Sequence, residues 1–266
     1  MQEARRLLRR AHRYERRAFL VEGARAVLTA LESPARVEEV FLSDGLPGEN
    51  EIRRAASEQG VEVVRCPPSV VRVLAGTASP QGVVAVVGMP DTSAASLPRQ
   101  ISLALVLCGV SDPGNAGTLV RSAVAAAADA VVVTNGSVDP FGPKTVRASA
   151  ATLLSTRIVI LETMKEVALE LRRRDVRLLG TATTGASVYT RELTAPVAFV
   201  LGNEAWGLPE DARPYLDDLI SVPMPGPAES LNVGAAGAIL MFEAVRQRRG
   251  PSGTSGGEVY PRLSDE

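Results

Sequence analysis

Short apolar runs alternate with amphipathic stretches along almost the whole chain. Residues 37–42 follow the two-residue rhythm of a strand with one wet face, and residues 19–23, 61–66 and 82–87 are apolar runs of strand length. Between them, residues 24–31, 51–59 and 69–75 repeat at helical spacing. Ahead of all these, Ala4, Leu7, Leu8, Ala11, Tyr14 and Ala18 form one apolar stripe of a helix over residues 1–17. Residues 89–99 are rich in Pro, Ser, Ala and Asp and have no period, so they read as a linker. A second alternating series follows, with strands predicted over 101–110, 130–134, 157–161, 176–182, 197–202 and 219–222. Its helices fall over 117–128, 145–154, 165–174 and 231–248. The chain is therefore expected to be α/β, with a smaller α/β/α domain over 1–90 holding a partly parallel sheet and a linker over 91–100. A parallel-sheet domain over 101–249 and a disordered Gly/Ser-rich tail over 250–266 complete the expectation.

Composition narrows the classes of function. Among 266 residues, 45% are hydrophobic and 22% charged, the balance of a soluble globular chain. No run is apolar for long enough to span a bilayer or to serve as a secretory signal, so no membrane partner and a cytoplasmic location are expected. Cys66 and Cys108 sit apart in apolar runs and read as reduced core thiols. His12 is the single histidine, which excludes multi-histidine metal sites and leaves no metal expected. The net charge of -1 hides an asymmetry, because Arg5, Arg6, Arg9, Arg10, Arg13, Arg16 and Arg17 face only Glu3 and Glu15 within the first 17 residues. Such a helix is either a solvated charged face or a phosphate-contacting surface, since guanidinium forks match phosphate oxygens.

Three polar loops follow predicted strands, where open parallel sheets bind their ligands. The first is Gly109-Val110-Ser111-Asp112-Pro113-Gly114-Asn115-Ala116-Gly117, with Arg121 in the helix behind it. The second is Gly202-Asn203-Glu204-Ala205-Trp206-Gly207-Leu208-Pro209. The third runs over 222–232, where three prolines and a glycine precede Ser230-Leu231-Asn232 and a helix rich in small residues. A helix start offers free N–H groups and a positive dipole end to a polar ligand. Each loop alone also has a plain reading, with Ser230 or Asn115 as a helix cap and Arg121 in a salt bridge. Neither Gly-x-Gly-x-x-Gly nor Gly-x-x-x-x-Gly-Lys occurs, which argues against nicotinamide or nucleoside triphosphate chemistry.

Taken in this order and spacing, the loops resemble the three motifs of the SpoU (TrmH) family of RNA ribose 2′-O-methyltransferases. Asn115-x-Gly117 with Arg121 is similar to the first motif, Gly202-x-Glu204-x-x-Gly207 to the second, and Val222-Pro223-Met224 with Ser230-Leu231-Asn232-Val233 to the third. The stretches Phe19-Leu20-Val21-Glu22-Gly23 and Thr77-Ala78-Ser79-Pro80-Gln81-Gly82-Val83 resemble the family's substrate-binding extension, of ribosomal-protein L30e-like fold.

The resemblance implies a SPOUT-type parallel sheet whose C-terminal segment forms a trefoil knot, a homodimer, and S-adenosyl-L-methionine as cofactor. It implies cofactor contacts from Thr181, Ala182, Thr183, Leu201, Gly202, Asn203, Gly207, Val222, Met224, Ser230 and Leu231. It also implies a catalytic set of Arg121, Asn115, Glu204, Ser230 and Asn232, in which Arg121 acts on the ribose hydroxyl and the other four orient it and the ribose. The expected substrate is RNA, with 23S rRNA favoured by the two-domain layout. The alternatives are a tRNA 2′-O-methyltransferase, a catalytically inactive RNA-binding factor, or a small-molecule α/β enzyme using a nucleotide. One departure stands out: the stretch 143–151 is similar to a family segment that usually has a glycine near position 151, here Ala151, which reads as a tolerated packing change.

Overall fold

The computed structural model describes residues 1–77 and 79–249; the expected disordered tail and Ala78 lie outside the described residues. The first portion runs α1 (Gln2–Arg6), α2 (Arg10–Arg16), β1 (Ala18–Glu22), α3 (Ala24–Glu32), β2 (Val37–Ser43), α4 (Glu49–Glu58), β3 (Glu62–Cys66), α5 (Pro68–Ala75) and β4 (Val83–Gly88). Its sheet has the order β1-β4-β2-β3, and only β2 and β3 pair in parallel. β4 is apolar throughout because it is a central strand covered on both faces, with α3 on one side and α5 on the other.

The second portion runs β5 (Leu103–Leu107), α6 (Pro113–Ala125), β6 (Ala130–Thr134), α7 (Pro143–Ala148), β7 (Arg157–Leu161), α8 (Met164–Arg172), β8 (Arg177–Ser187), β9 (Val197–Leu201), β10 (Asp218–Ser221) and α9 (Val233–Arg249). These strands form one parallel sheet, in the order β10-β8-β9-β5-β6-β7. α6 packs on α7 and α9 on one face, while α8 closes a separate apolar cluster with Val106, Val132 and Val200 on the other. The central strands are fully apolar for this reason. One continuous core joins the two sheets, and the Phe19 and Phe141 rings meet across the junction at 5.0 Å.

Several expectations are corrected. The helix over 1–17 is broken between α1 and α2, and Ala11 is exposed while Arg13 is buried. Arg13 therefore cannot meet a phosphate. Its Nε donates to Asp139 Oδ2 at 3.1 Å, its Nη2 binds the same oxygen, and its Nη1 donates at 2.7 Å to the Leu7 carbonyl beside the helix break. Tyr14 donates its hydroxyl to Asp139 Oδ1 at 3.0 Å, and burial, then the Asp139 charge, pushes that phenol up to about 12. Arg147 adds a second tie between the portions, donating to Glu22 Oε2 at 3.1 Å and to the Ala75 carbonyl at 3.2 Å. The residues between the portions are not featureless either: they hold a 3-10 turn over Ala94–Ser96, and the Thr92 carbonyl accepts from the Ile160 N–H.

The helix expected over 145–154 ends at Ala148, because Ala150 and Ala151 both take left-handed backbone, with φ of 51° and 60°. The glycine expected near position 151 thus answers a backbone demand rather than packing, and alanine there costs about 1 kcal/mol. Finally, β8 extends to Ser187, five residues past its expected end, because its polar second half pairs with the short edge strand β10 after a register shift. Gly185 makes that approach possible, since a Cβ there would lie 2.5 Å from the Ile220 carbonyl carbon.

Candidate active site

All three polar loops converge at the C-terminal ends of β5, β9 and β10. The first turns through Gly109, whose φ of 83° only glycine adopts freely, and Asp112 then caps α6 by accepting the Asn115 N–H at 2.8 Å. The second closes on itself, with Asn203 and Gly207 exchanging both backbone hydrogen bonds at 2.8 and 2.9 Å. Gly202 lies against that closure so tightly that a Cβ would sit 2.3 Å from the Gly207 carbonyl carbon and oxygen. In the third loop it is Asn232, not Ser230, that caps α9, its Oδ1 accepting the N–H groups of Gly234 and Ala235 at 2.9 and 3.3 Å.

One carboxylate ties the loops together. Glu204 accepts from the Ser111 N–H and hydroxyl at 3.2 and 3.0 Å, from the Asp112 N–H at 3.2 Å, and from Asn115 Nδ2 at 3.0 Å. Because an ionised carboxylate only accepts, it fixes which end of the Asn115 amide faces it. Asn115 Oδ1 is left to accept from Asn232 Nδ2 at 2.8 Å, which in turn leaves Asn232 Oδ1 free to cap α9. Residues 115, 204 and 232 thus form one oriented chain. Partial burial raises the Glu204 carboxyl, but the hydrogen bonds from Asn115 and from the backbone of Ser111 and Asp112 outweigh it and hold the group at about 2.

That depression has a sign. With an ordinary value of 4.5 and a folded value of about 2, the unfolded chain takes up the proton first as pH falls. The Glu204 contribution is complete above the ordinary value and fades as pH drops toward the folded one. Urea unfolding of wild type and Glu204→Gln should show a stability gap at pH 7 that has narrowed clearly by pH 3. A gap that stays constant across this range would refute the assignment.

The loops enclose an open cleft of about 600 Å³. Every residue expected at the cofactor lines it: Thr181, Ala182 and Thr183 from β8, Leu201 from β9, Gly202, Asn203 and Gly207 from the second loop, and Val222, Met224, Ser230 and Leu231 from the third. Asn115, Glu204 and Asn232 join them, but Arg121 does not. It lies six residues beyond Asn115, roughly 9 Å along the helix axis, and is exposed. Glu204 therefore orients the first loop rather than Arg121. Sequence reasoning missed the apolar wall from Leu219, Ile220 and Leu240, and it missed Ser111 as the Glu204 partner. Only the short strand expected over 219–222 pointed to the wall.

The profile of the SpoU rRNA methylase family matches residues 102–242, which hold all three loops. The chain belongs to this family. Residues 1–85 match a second profile, the MRM3-like substrate binding domain. Among curated SpoU relatives, the 23S rRNA (guanosine-2′-O-)-methyltransferase RlmB of Xanthomonas axonopodis pv. citri is 33% identical over 246 residues, covering 86% of this chain and 97% of its own. The 23S rRNA (uridine(2479)-2′-O)-methyltransferase of Streptomyces viridochromogenes is 32% identical over 242 residues, covering 86% and 83%. Among solved structures, the SpoU methyltransferase AviRb of that organism in complex with AdoMet superposes with a TM-score of 0.84 at 31% identity, covering 94% of this chain and 97% of its own. An AdoMet-bound rRNA methyltransferase from Sinorhizobium meliloti gives 0.82 at 28% identity, covering 92% and 94%.

Proposed function

We propose that this SpoU-family chain is an S-adenosyl-L-methionine-dependent enzyme that methylates a ribose 2′-hydroxyl of 23S rRNA in the cytoplasm. The observation that carries the reading is the Glu204–Asn115–Asn232 chain, which draws three separated loops to one cleft. Relatives that act on 23S rRNA and AdoMet-bound neighbours covering nearly the whole chain support it.

The cleft suits the cofactor by its own chemistry. Among the described residues, the backbone N–H groups of Gly202, Val222 and Leu231 find no acceptor, and Gly202 is buried. Buried N–H groups are rarely left unpaired, so that of Gly202 marks a place for a polar ligand atom, and Val222 and Leu231 line the same cleft. Leu201, Ile220 and Leu240 give the same cleft an apolar wall for a flat ring. When bound, the cofactor supplies an electrophilic methyl on a sulfonium sulfur.

The chain's own residues do the rest. Ser230 is exposed in the cleft and its hydroxyl makes no hydrogen bond among the described residues, so it is free to meet the ribose. Asn115 and Asn232, held in one orientation, position it. Glu204 is no base, since four donors occupy its oxygens and keep it ionised far below neutrality. Arg121 is a guanidinium that only donates, so it acts by gripping the phosphate beside the acceptor. Positioning of this kind supplies roughly 7–11 kcal/mol of a barrier.

The N-terminal arginines divide into roles. Arg5, Arg9 and Arg10 are exposed and make no ion pair among the described residues, with Arg10 5.5 Å from the Tyr14 ring. Arg6 and Arg16 pair with Glu3 and Glu38 at 2.9 and 2.8 Å, and Arg17 binds the Pro90 carbonyl. Arg9→Ala should weaken RNA binding and flatten its salt dependence by about one unit, measured by titration at several salt concentrations. Arg13→Ala should instead lower the midpoint of urea unfolding. An unchanged salt slope for Arg9→Ala removes that residue from the RNA surface.

A second copy fits the outer face of α9, where Ala235, Ile239 and Phe242 recur at helical spacing and Phe242 is 48% exposed. A monomeric mass at micromolar concentration by light scattering contradicts this homodimer. The trefoil threading is part of the same reading. Its support is that α9 packs on α6 while Gln247 and Arg248 bind the backbone of residues 191–195 on the other side.

Calorimetric titration with S-adenosylmethionine, followed by methyl transfer to unmodified 23S rRNA, tests the function. Saturable binding and a methylated ribose are expected. Binding with no transfer to any RNA would turn the reading toward a non-catalytic RNA-binding factor.

A further inference from the structure

We propose that Trp206 is the platform on which the nucleobase of the acceptor nucleotide stacks; the proposal rests on the function above and extends it to recognition of the base. Trp206 is the single tryptophan of the chain, and at 88% exposure it is the most exposed large hydrophobic side chain among the described residues. It lines the same cleft as Asn115, Ser230 and Asn232, and no other aromatic side chain among the described residues does.

Its backbone is fixed although its ring is free. Asn203 Oδ1 accepts the N–H groups of Ala205 and Trp206 at 2.9 and 3.3 Å, and the Asn203–Gly207 pair closes the turn behind them. Asn203 is itself anchored, donating Nδ2 to the Gly109 carbonyl at 3.0 Å and to Ser111 Oγ at 3.2 Å. The indole is therefore presented by the segment that carries Glu204, held in register with the Asn115 side of the cleft. A large aromatic presented this way and left in water is placed for a ligand rather than for the core.

The chemistry of the substrate says which ligand. In a nucleotide the base hangs from the carbon next to the one bearing the 2′-hydroxyl. A hydroxyl brought among Asn115, Ser230 and Asn232 must therefore bring its own base to the rim of the same cleft. The base has to leave its stack in the RNA to get there, and aromatic side chains are the usual replacement for lost stacking. The named relatives act on guanosine in one case and uridine in the other. Stacking suits such variety, because every base has a π-face and the contact tolerates sequence. A cation completes the rim: Arg213 lines the cleft, is exposed, and has no carboxylate within ion-pair distance among the described residues.

The test uses the full chain as wild type, Trp206→Ala and Trp206→Phe, with unmodified 23S rRNA and S-adenosylmethionine as probes. Trp206→Ala is expected to lower kcat/KM for RNA by about 10- to 100-fold, in keeping with the loss of one stacked base. Trp206→Phe should restore most of it. Cofactor affinity and the light-scattering mass should not move, and RNA should quench the indole fluorescence. Three results overturn the proposal: equal kcat/KM for the alanine variant, a loss confined to cofactor affinity, which would place the ring over the cofactor, or a changed mass, which would place it in a subunit contact. In each of these the wild type still methylates and the broader function stands. A wild type that binds cofactor but is inert on every RNA removes the function and this proposal together.

Discussion

Arg121→Ala is expected to lower methyl transfer by about 100-fold or more while S-adenosylmethionine binds as before. The size follows from what the guanidinium does, since losing its grip on the phosphate misplaces the reacting ribose, and a misplacement of this kind costs about 100-fold in rate. The separation from binding follows from geometry, because Arg121 is not among the side chains that line the cleft. Stability should hardly change: the residue is exposed, makes no ion pair among the described residues, and surface substitutions of this kind fall within about 0.5 kcal/mol. Arg121→Lys keeps the charge but loses the planar fork, so it should recover only part of the rate. Single-turnover transfer to 23S rRNA, beside calorimetric titration of the cofactor, reads both quantities. Full turnover by the alanine variant would end the catalytic assignment of Arg121.

The second large effect is expected at Gly202. A Cβ there would lie 2.3 Å from the Gly207 carbonyl carbon and oxygen and 2.4 Å from the Leu208 nitrogen, and those atoms are backbone, not a side chain that can swing away. The loop must open to admit it. Opening breaks the paired hydrogen bonds of Asn203 and Gly207, and with them the placement of Glu204 against Ser111 and Asn115. Gly202→Ala should therefore weaken S-adenosylmethionine by about 100-fold, equivalent to about 2.8 kcal/mol. It should also lower stability by about 1–3 kcal/mol, the usual range for overpacking. Gly226→Ala is the control, since open space surrounds that position on the third loop. Cofactor affinity left intact in Gly202→Ala would show that the loop yields cheaply and that the close approach has no functional weight.

Much of the parallel sheet was legible because central strands such as 103–107 and 197–201 are apolar without interruption, and no other local structure explains such runs. The cleft was legible for a different reason. Its lining consists of glycines, small polar residues and prolines in loops after those strands, where resemblance to a family of fixed motif order could be recognised. What escaped was everything decided by distant partners. Arg13 looks like its neighbours in sequence, and its buried ion-pair partner is Asp139, 126 positions away. Ala150 and Ala151 are the best of helix formers, so nothing local announces that both adopt left-handed backbone and end α7. Arg121 fits its motif, yet the helical turn carries it away from the cleft that Asn115 enters. The apolar wall escaped because one of its three residues, Leu240, is supplied by the last helix.

The chain of hydrogen bonds from Glu204 through Asn115 to Asn232 joins residues 117 positions apart in sequence. During synthesis, Asn115 is made first and Asn232 last, so the polypeptide emerges for most of its length with the amide of Asn115 lacking its partner. The sheet of the first portion, by contrast, is complete once β4 has been made. A nascent or prematurely halted polypeptide can therefore pair the strands of its arginine-bearing portion while the cleft is still unbuilt, with Arg13 gaining Asp139 only later. The cleft is complete only when the segment carrying Asn232 docks against Asn115.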